Sequence, residues 1–156
     1  MNRLINEWRR SRTITITVYC PVCESQNDYT LKLPTGIIDY ILRLGFIEGV
    51  RHWVEHTEIL EDECFGECDC EQVSRGGAVV LYDRNGKDSY VLDLEGFLSG
   101  FYIVFARYLA MSMFVDGKVS FPKLSPKTCD EIIQYALLDE IKYPHEERNV
   151  GDDYAH

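Results

Sequence analysis

The sequence predicts an α+β fold with two β-hairpins and about four helices. Two pairs of short, β-rich segments, each pair joined by a turn-forming motif, predict the hairpins, and apolar residues at helical spacing predict the helices. The chain has 156 residues, of which 46% are apolar and 27% are charged. This length and composition are typical of a globular domain and exclude a disordered chain.

The first hairpin is predicted between residues 13 and 33. Residues 13–20 alternate threonine with apolar residues and run directly into Cys20-Pro-Val-Cys23. Residues 29–33 alternate again and supply the returning strand. A strand, a tight Cys-x-x-Cys turn and a second strand are typical of a metal knuckle, in which backbone N–H groups stabilise the thiolates.

Two helices and an acidic loop are predicted to follow this hairpin. Apolar residues between 37 and 46 have helical spacing and predict the first helix, and those between 50 and 60 predict a second, short helix. Residues 61–71 are acidic and carry three cysteines, so we expect a loop there.

The second hairpin is predicted from residues 78–82 and 90–94. The Asn85-Gly86 pair between them favours the positive φ angles of a two-residue turn. A long, largely apolar helix over residues 95–114 is expected to form the centre of the core, with Asp93 and Glu95 stabilising its N-terminus. Residues 119–121 predict one more short strand.

The last helix is predicted to begin at Ser125-Pro126, with a capping box from Thr128 to Glu131 as the alternative start. Residues 144–156 are polar and predict a flexible tail, which makes His145 and His156 weak candidates for chemistry.

Five of the six cysteines form two groups that predict a single zinc site. Structural zinc takes four ligands, and clustered thiols in a cytosolic chain hold metal more often than they form disulfides. Cys20 and Cys23 supply two ligands. The other two positions have three candidates, ranked in the order Cys68, Cys70 and Cys64. Four thiolates leave no position for a water nucleophile, so the predicted zinc is structural.

Two histidines offer an alternative ligand pair. His52 and His56 are four residues apart and would share one face of a helix, so they could complete a Cys₂His₂ set with the first cysteine group. The long gap after Cys23 favours two ordinary polar rings instead. Cys129, near the start of the last helix, is expected to be a partly buried residue, with a reactive thiol as the alternative.

These assignments divide the chain into three parts that are expected to form one compact unit. Residues 1–75 hold the zinc-stabilised hairpin and helices, residues 76–143 hold the second hairpin and a two-helix core, and residues 144–156 form the tail.

Acidic residues dominate one region of the chain and predict a basic protein partner. The net charge is −10, and residues 36–75 carry three basic and ten acidic side chains. Such a surface repels nucleic acids and anionic membranes and attracts basic proteins. The residues predicted to bind this partner are Glu58, Glu61, Asp62, Glu63, Glu67, Asp69 and Glu71.

An arginine arm at the N-terminus is the exception to this acidity. It contains Arg3, Arg9, Arg10 and Arg12, and it makes a nucleic-acid-binding regulator that uses the knuckle the alternative function. Residues 1–13 are too polar for a secretory signal, and Arg107 interrupts the longest apolar stretch. We therefore expect a cytoplasmic protein without a membrane span.

Two segments resemble known proteins. The segment from Asp130 to Tyr143 resembles a stretch in small uncharacterised proteins carried by prophages and conjugative elements, and Cys20-Pro-Val-Cys23 resembles the metal knuckle of other small proteins of such elements. The resemblance implies an accessory protein of a mobile genetic element and assigns no catalytic residue.

The motifs of common enzyme classes are absent from the sequence. It has no glycine-rich phosphate loop, no Gly-x-Ser-x-Gly elbow and no His-Glu-x-x-His pair. We therefore expect a non-enzymatic, acidic, zinc-binding interaction protein, of which an inhibitor of a basic nucleic-acid-handling protein is one form. A zinc hydrolase, or a thiol enzyme built around Cys129, is the remaining hypothesis.

Overall fold

The fold of the described residues is mixed α+β, with four helices and a three-stranded antiparallel sheet. The computed structural model describes residues 12–20, 25–110, 114–115, 118–119 and 124–145, with side-chain environments for residues 33–107 and 124–145. Two further antiparallel pairs of strands lie outside this sheet. The predicted α+β class is thus confirmed.

The first hairpin consists of β1 (Arg12–Cys20) and β2 (Ser25–Leu33). The two strands pair antiparallel from Arg12 opposite Leu33 to Cys20 opposite Ser25. This confirms the predicted hairpin, although β2 begins earlier than the alternating pattern indicates. Residues 21–24 of the predicted zinc knuckle, Cys23 among them, lie outside the described residues, so the knuckle stays a prediction.

The segment after the first helix differs from the prediction. Helix α1 (Thr35–Leu44) continues into a π-helical turn (Gly45–Gly49), but the helix predicted over residues 50–60 is wrong. Residues Val54–Ile59 form strand β3 instead. Valine, threonine and isoleucine favour extended backbone, and hydrogen bonds to a strand distant in sequence decide between the two structures.

Strand β3 lies at one edge of the central sheet. The sheet has the order β3-β4-β5, with β4 (Val79–Asp83) between β3 and β5 (Ser89–Leu92), and both pairs are antiparallel. The predicted β4–β5 hairpin is confirmed, and Gly86 has the expected positive φ of 67°. Its connection is longer than two residues, because the Asp83 carboxylate accepts hydrogen bonds from the backbone of Lys87 and Asp88 across the turn.

The remaining helices are α2 (Asp69–Ser74), α3 (Leu94–Ala110) and α4 (Pro126–Leu138). Helix α2 begins inside the stretch predicted as a loop. Helix α3 begins after Asp93, whose carboxylate accepts a hydrogen bond from Gly96 N, and it ends before the predicted Phe114. Helix α4 begins at the predicted Ser125, whose hydroxyl caps Thr128 N. Two short strands, β6 (Phe114–Val115) and β7 (Lys118–Val119), pair between α3 and α4.

Helix α3 is the central core element, as predicted. Phe97, Phe101 and Phe105 are almost completely buried along one face. Helix α4 packs closely against α3 at Gly100, where a Cβ atom would lie 2.2 Å from the carbonyl oxygen of Ile132. None of the helices in the described part of the chain has both the length and the apolar character needed to span a bilayer.

A single buried cluster contains apolar side chains from both sides of residue 75. Leu33, Ile41 and Trp53 on one side pack with Phe101 and Ile133 on the other. The two largest parts of the predicted division therefore share their core.

Candidate functional site

The acidic segment, defined as residues 54–72, contains eight aspartates and glutamates and no lysine or arginine. Four of the seven acids predicted to bind a partner are exposed within it, namely Glu58, Asp62, Glu63 and Glu67. These four carboxylates are accessible to a binding protein, and Glu58 among them also accepts a hydrogen bond from the Tyr82 hydroxyl at 3.2 Å.

The other three predicted acids accept hydrogen bonds within the protein. Both oxygens of Glu61 accept from the backbone N of Ala78, at 2.8 and 3.1 Å. Asp69 accepts a hydrogen bond from the Thr57 hydroxyl, and Glu71 accepts one from the backbone N of Glu67. These three acids fix the conformation of the segment.

Gln72 on α2 organises the loop that carries the exposed acids. Its side chain is completely buried, and its Oε1 accepts a hydrogen bond from Phe65 N at 2.7 Å. Its Nε2 donates to Glu61 Oε2 at 2.9 Å and to Glu63 O at 3.1 Å. Burial acts to raise the pKa of Glu61, but the hydrogen bonds from Gln72 and Ala78 outweigh it and lower the pKa. The loop is therefore ordered around an ionised carboxylate.

The two highest-ranked ligand candidates of the second cysteine group are joined as a disulfide. Cys68 and Cys70 have their sulfur atoms 2.13 Å apart, whereas Cys64 is a free, exposed thiol. Bonded sulfurs cannot act as thiolate ligands, so zinc at these positions requires prior reduction. The side chain of Cys20 and all of Cys23 lie outside the described side chains, and the thiolate zinc site stays a prediction.

The arginine arm also lies beyond the described side chains. Arg3, Arg9 and Arg10 fall before the first described residue, and only the backbone of Arg12 is described. The alternative function in nucleic-acid binding stays a prediction.

A cleft of about 460 Å³ lies beside the acidic segment. One wall comes from the end of α1 and the π-helical turn and includes Arg43, Phe46 and Ile47; the other includes Glu67, Asp69 and the disulfide. Ile47 is 56% exposed and is therefore accessible to a binding protein. The cleft thus joins a wall with two apolar side chains and one arginine to a carboxylate-bearing wall.

A second cluster of functional groups surrounds a buried carboxylate. Asp130 on α4 is completely buried. Its Oδ1 accepts a hydrogen bond from Trp53 Nε1 at 2.8 Å, and its Oδ2 accepts one from Gln134 Nε2 at 2.8 Å. The same Oδ2 lies 2.7 Å from His145 Nε2 and 3.8 Å from His52 Nε2.

The turn before β3, residues 50–53, positions the first histidine of this cluster. His52 Nδ1 lies 3.1 Å from Gly49 O, and His52 Nε2 lies 2.9 Å from Tyr143 O. Gly49 permits α4 to approach this turn, since a Cβ atom there would lie 2.6 Å from Pro126 O and 3.2 Å from Asp130 Cβ. Because Gly49, the last residue of the π-helical turn, has no side chain, α4 can bring Asp130 close to His52.

Backbone hydrogen bonds hold the segment that carries the second histidine. Gln134 Nε2 donates to Tyr143 O at 2.8 Å, and Tyr143 N donates to Gln134 Oε1 at 2.9 Å. The Tyr143 ring stacks on Trp53 with centroids 4.7 Å apart. These contacts place His145 against Asp130, although it falls within the predicted flexible tail.

The alternative in which His52 and His56 share one face of a helix as a ligand pair is wrong. Because residues 54–59 form a strand, His56 is not on a shared helical face with His52. It lies 3.6 Å from Glu58 and stacks on Tyr82 at the surface of the sheet.

The cluster concentrates donors around a carboxylate with little access to water. Burial raises the pKa of the Asp130 carboxyl, and the hydrogen bonds from Trp53 and Gln134 and the two nearby histidines oppose this without overcoming it. The ligand atoms of His52, Asp130 and His145 all lie within 4.8 Å of one another, so this group could hold a metal ion. Such an ion, or a protonated imidazole, supplies the positive charge that a buried carboxylate requires.

Cys129 does not have the properties of a reactive thiol. It is completely buried, and burial together with the neighbouring Asp130 raises its pKa to about 12. Desolvation thus outweighs any effect of the nearby helix N-terminus, and the thiolate needed for nucleophilic attack is not populated at neutral pH.

Sequence reasoning missed Asp130 and His145 as site residues. The available signal was the pair Asp130 and Gln134, two polar residues one turn apart on the apolar face of the last helix. Polar residues on a buried face need partners, which points to a polar network. The positions of those partners depend on the fold.

Comparisons with protein-family models, with curated proteins and with solved structures found no match, so the arrangement of the side chains carries the functional argument.

Proposed function

We propose that the protein is a non-enzymatic interaction protein whose acidic segment binds a basic surface of a partner protein. The observation that carries this proposal is the set of four exposed carboxylates, on a segment without lysine or arginine. Gln72 and the internally bonded acids hold the segment in one conformation. A preorganised surface loses little conformational entropy on binding, and its charge accelerates encounter with a positive partner.

The neighbouring cleft supports this proposal because charge alone rarely gives high affinity. Protein interfaces usually depend on a few apolar or aromatic anchors surrounded by polar contacts. Exposed Ile47 and the half-buried Phe46 provide an apolar wall next to the carboxylate of Glu67. A partner with an apolar side chain flanked by lysine or arginine matches this surface.

We further propose that zinc stabilises the N-terminal half of the reduced protein through Cys20, Cys23 and two of the three cysteines at 64, 68 and 70. The proposed setting is the cytoplasm, where reduced thiols are common and where an accessory protein of a mobile element would meet nucleic-acid-handling enzymes. Inhibition of such an enzyme is consistent with an acidic surface that mimics the charge of nucleic acid.

The proposal is tested by quantitative capture of binding proteins with three baits. The first bait is the wild-type chain. The second carries Glu58→Gln, Asp62→Asn, Glu63→Gln and Glu67→Gln. The third removes the same number of charges from exposed positions elsewhere, with Asp88→Asn, Glu95→Gln, Asp139→Asn and Glu140→Gln.

We expect basic proteins to bind the first and third baits, to be lost from the second, and to elute as the salt concentration rises. An Ile47→Ser bait should release the same partner faster without changing the salt dependence, because it removes an apolar contact only. Equal capture by the second and third baits, or binding that ignores salt, would refute the proposal.

A further inference from the structure

We propose that His52, Asp130 and His145 form a binding site for a divalent transition-metal ion of the zinc class, which fastens residues 139–145 to the turn before β3. The site contains no cysteine and none of the acidic segment. It therefore goes beyond the proposed partner-binding function and can fail or succeed independently of it.

The chemistry of the donor atoms selects the class of ion. Two imidazole nitrogens and one carboxylate oxygen suit zinc, cobalt, nickel and iron, which accept nitrogen ligands readily. Magnesium and calcium prefer sites built entirely of oxygen atoms. The ligand set His52 Nε2, His145 Nε2 and Asp130 Oδ2 is thus specific for a transition metal.

The spacing of these atoms fits a single ion. Ligands at about 2.0 to 2.1 Å from a tetrahedral ion lie about 3.3 Å from one another. Asp130 Oδ2 lies 2.7 Å from His145 Nε2 and 3.8 Å from His52 Nε2, so the two distances bracket that value. The ligand atoms of His52 and His145 also lie within 4.8 Å of each other, so all three groups are within reach of one ion.

Surrounding groups already orient the ligands as metal sites require. A histidine that binds metal through one nitrogen usually donates its other N–H to a carbonyl or carboxylate. His52 Nδ1 lies 3.1 Å from Gly49 O, and the tautomer that donates there leaves Nε2 without a proton, so an ion at Nε2 replaces the present contact with Tyr143 O at 2.9 Å. Trp53 holds Oδ1 of Asp130, and Oδ2, which also accepts a hydrogen bond from Gln134, faces the histidines.

The site is also open to an ion from solvent and offers further ligands to it. The side chains of His52 and His145 are 32% and 26% exposed, so an ion can reach the buried carboxylate from solvent. Tyr143 O lies 2.9 Å from His52 Nε2 and can take a remaining coordination position, as can water.

The consequence of binding is a link between segments that are distant in the sequence. His52 precedes β3, Asp130 lies in α4, and His145 follows α4 near the end of the described chain. An ion that binds only the folded arrangement stabilises it by mass action. The metal is therefore expected to hold residues 139–145 against the turn before β3.

The test is a Zn²⁺ titration of the full-length protein, followed by NMR of the histidine ring nitrogens and by the melting temperature. Without reductant the Cys68–Cys70 disulfide prevents the proposed four-thiolate site from forming, and we expect one equivalent of Zn²⁺ to shift the His52 and His145 rings, to leave His56 unchanged and to raise the melting temperature. Mg²⁺ should do neither. Co²⁺ bound at this site should show visible absorption without the intense near-ultraviolet bands of cobalt thiolates.

Matched variants separate this cluster from any metal bound by cysteines. His145→Gln should weaken the affinity at least about tenfold, while His56→Gln, at an exposed histidine, should bind as the wild type does. Asp130→Asn keeps an oxygen for Trp53 and removes the charge, and it should weaken binding similarly. Wild-type affinity in His145→Gln, or histidine rings that excess Zn²⁺ leaves unshifted, would show a hydrogen-bonded network only and overturn the proposal.

Discussion

Trp53 and Asp130 are 77 residues apart in the sequence, and the indole Nε1 of Trp53 donates a hydrogen bond to Asp130 Oδ1 at 2.8 Å. Both side chains are buried, and the contact joins the turn before β3 to helix α4. This turn carries His52, so the hydrogen bond also positions the candidate metal ligands. The stability of the fold and the geometry of the cluster therefore depend on the same pair.

Replacing Trp53 with phenylalanine should destabilise the protein. The change removes the donor and leaves a buried carboxylate oxygen without its partner, which typically costs about 1 to 3 kcal/mol. Urea unfolding measures the loss in the free energy of unfolding. Tyr82→Phe, which removes an exposed hydrogen bond to Glu58, is the control and should change stability by less than about 0.5 kcal/mol. Equal effects of the two changes would contradict the role given to the Trp53 hydrogen bond.

Close packing of α3 on α4 predicts opposite outcomes for two glycines. A Cβ atom at Gly100 would lie 2.2 Å from Ile132 O and 2.7 Å from Ala136 N, so Gly100→Ala should force the helices apart and cost about 1 to 3 kcal/mol. Gly36, in α1, has no atom within 4 Å of such a Cβ, and Gly36→Ala should be neutral or stabilising through helix propensity. Thermal or urea unfolding distinguishes them. A stable Gly100→Ala protein would show that the helices are farther apart than described.

Asp39 predicts a specific dependence of stability on pH. It accepts a hydrogen bond from the Ser74 hydroxyl, and burial raises its pKa more than this hydrogen bond lowers it. The folded state then binds the proton more tightly than the unfolded state. The stability that Asp39 contributes is therefore present below the ordinary aspartate pKa. It is lost as the pH rises through the raised pKa of the folded protein.

The variant Asp39→Asn removes that titration while keeping an oxygen acceptor for Ser74. We expect a higher free energy of unfolding at neutral pH than in the wild type, and a smaller fall in stability from acid to neutral pH. Urea unfolding at a series of pH values provides the measurement. An unchanged pH profile would show that Asp39 is not desolvated in the folded protein.

The cysteines should differ sharply in reactivity. Without reductant, iodoacetamide should modify exposed Cys64 in the folded protein and Cys129 only after unfolding, because the Cys129 thiol is buried and has a pKa of about 12. Cys68 and Cys70 should stay unmodified as a disulfide. Peptide mass spectrometry identifies each site. Rapid labelling of Cys68 and Cys70 would instead indicate free thiols, as the predicted zinc site requires.

Local sequence patterns were sufficient to predict elements whose structure is decided by neighbouring residues. The hairpin around residues 21–24, the apolar helix α3 and the serine cap of α4 follow from alternation, helical spacing and cap chemistry. Strand β3 was predicted as a helix because Val50, Trp53 and Val54, at its start and just before it, have helical spacing. Its pairing with β4 involves residues 20 to 29 positions away, which local patterns do not contain.

The candidate site shows the same division between local and distant information. The charge of the acidic segment is visible in the sequence, but the hydrogen bonds that hold the partly exposed Glu61 in place depend on Gln72 and Ala78. The meeting of His52, Asp130 and His145 depends on three separate segments. The composition therefore predicts an acidic surface. Only the fold shows which carboxylates hold the segment in its conformation and which are exposed.

Hydrogen–deuterium exchange of the protein, alone and with the basic protein recovered by capture, tests the central claim most directly. If the acidic segment is the binding surface, amides within residues 54–72 and around Ile47 should exchange more slowly in the complex, and rising salt should remove this protection together with the partner. Protection confined to other surfaces, with residues 54–72 exchanging as in the free protein, would contradict the account.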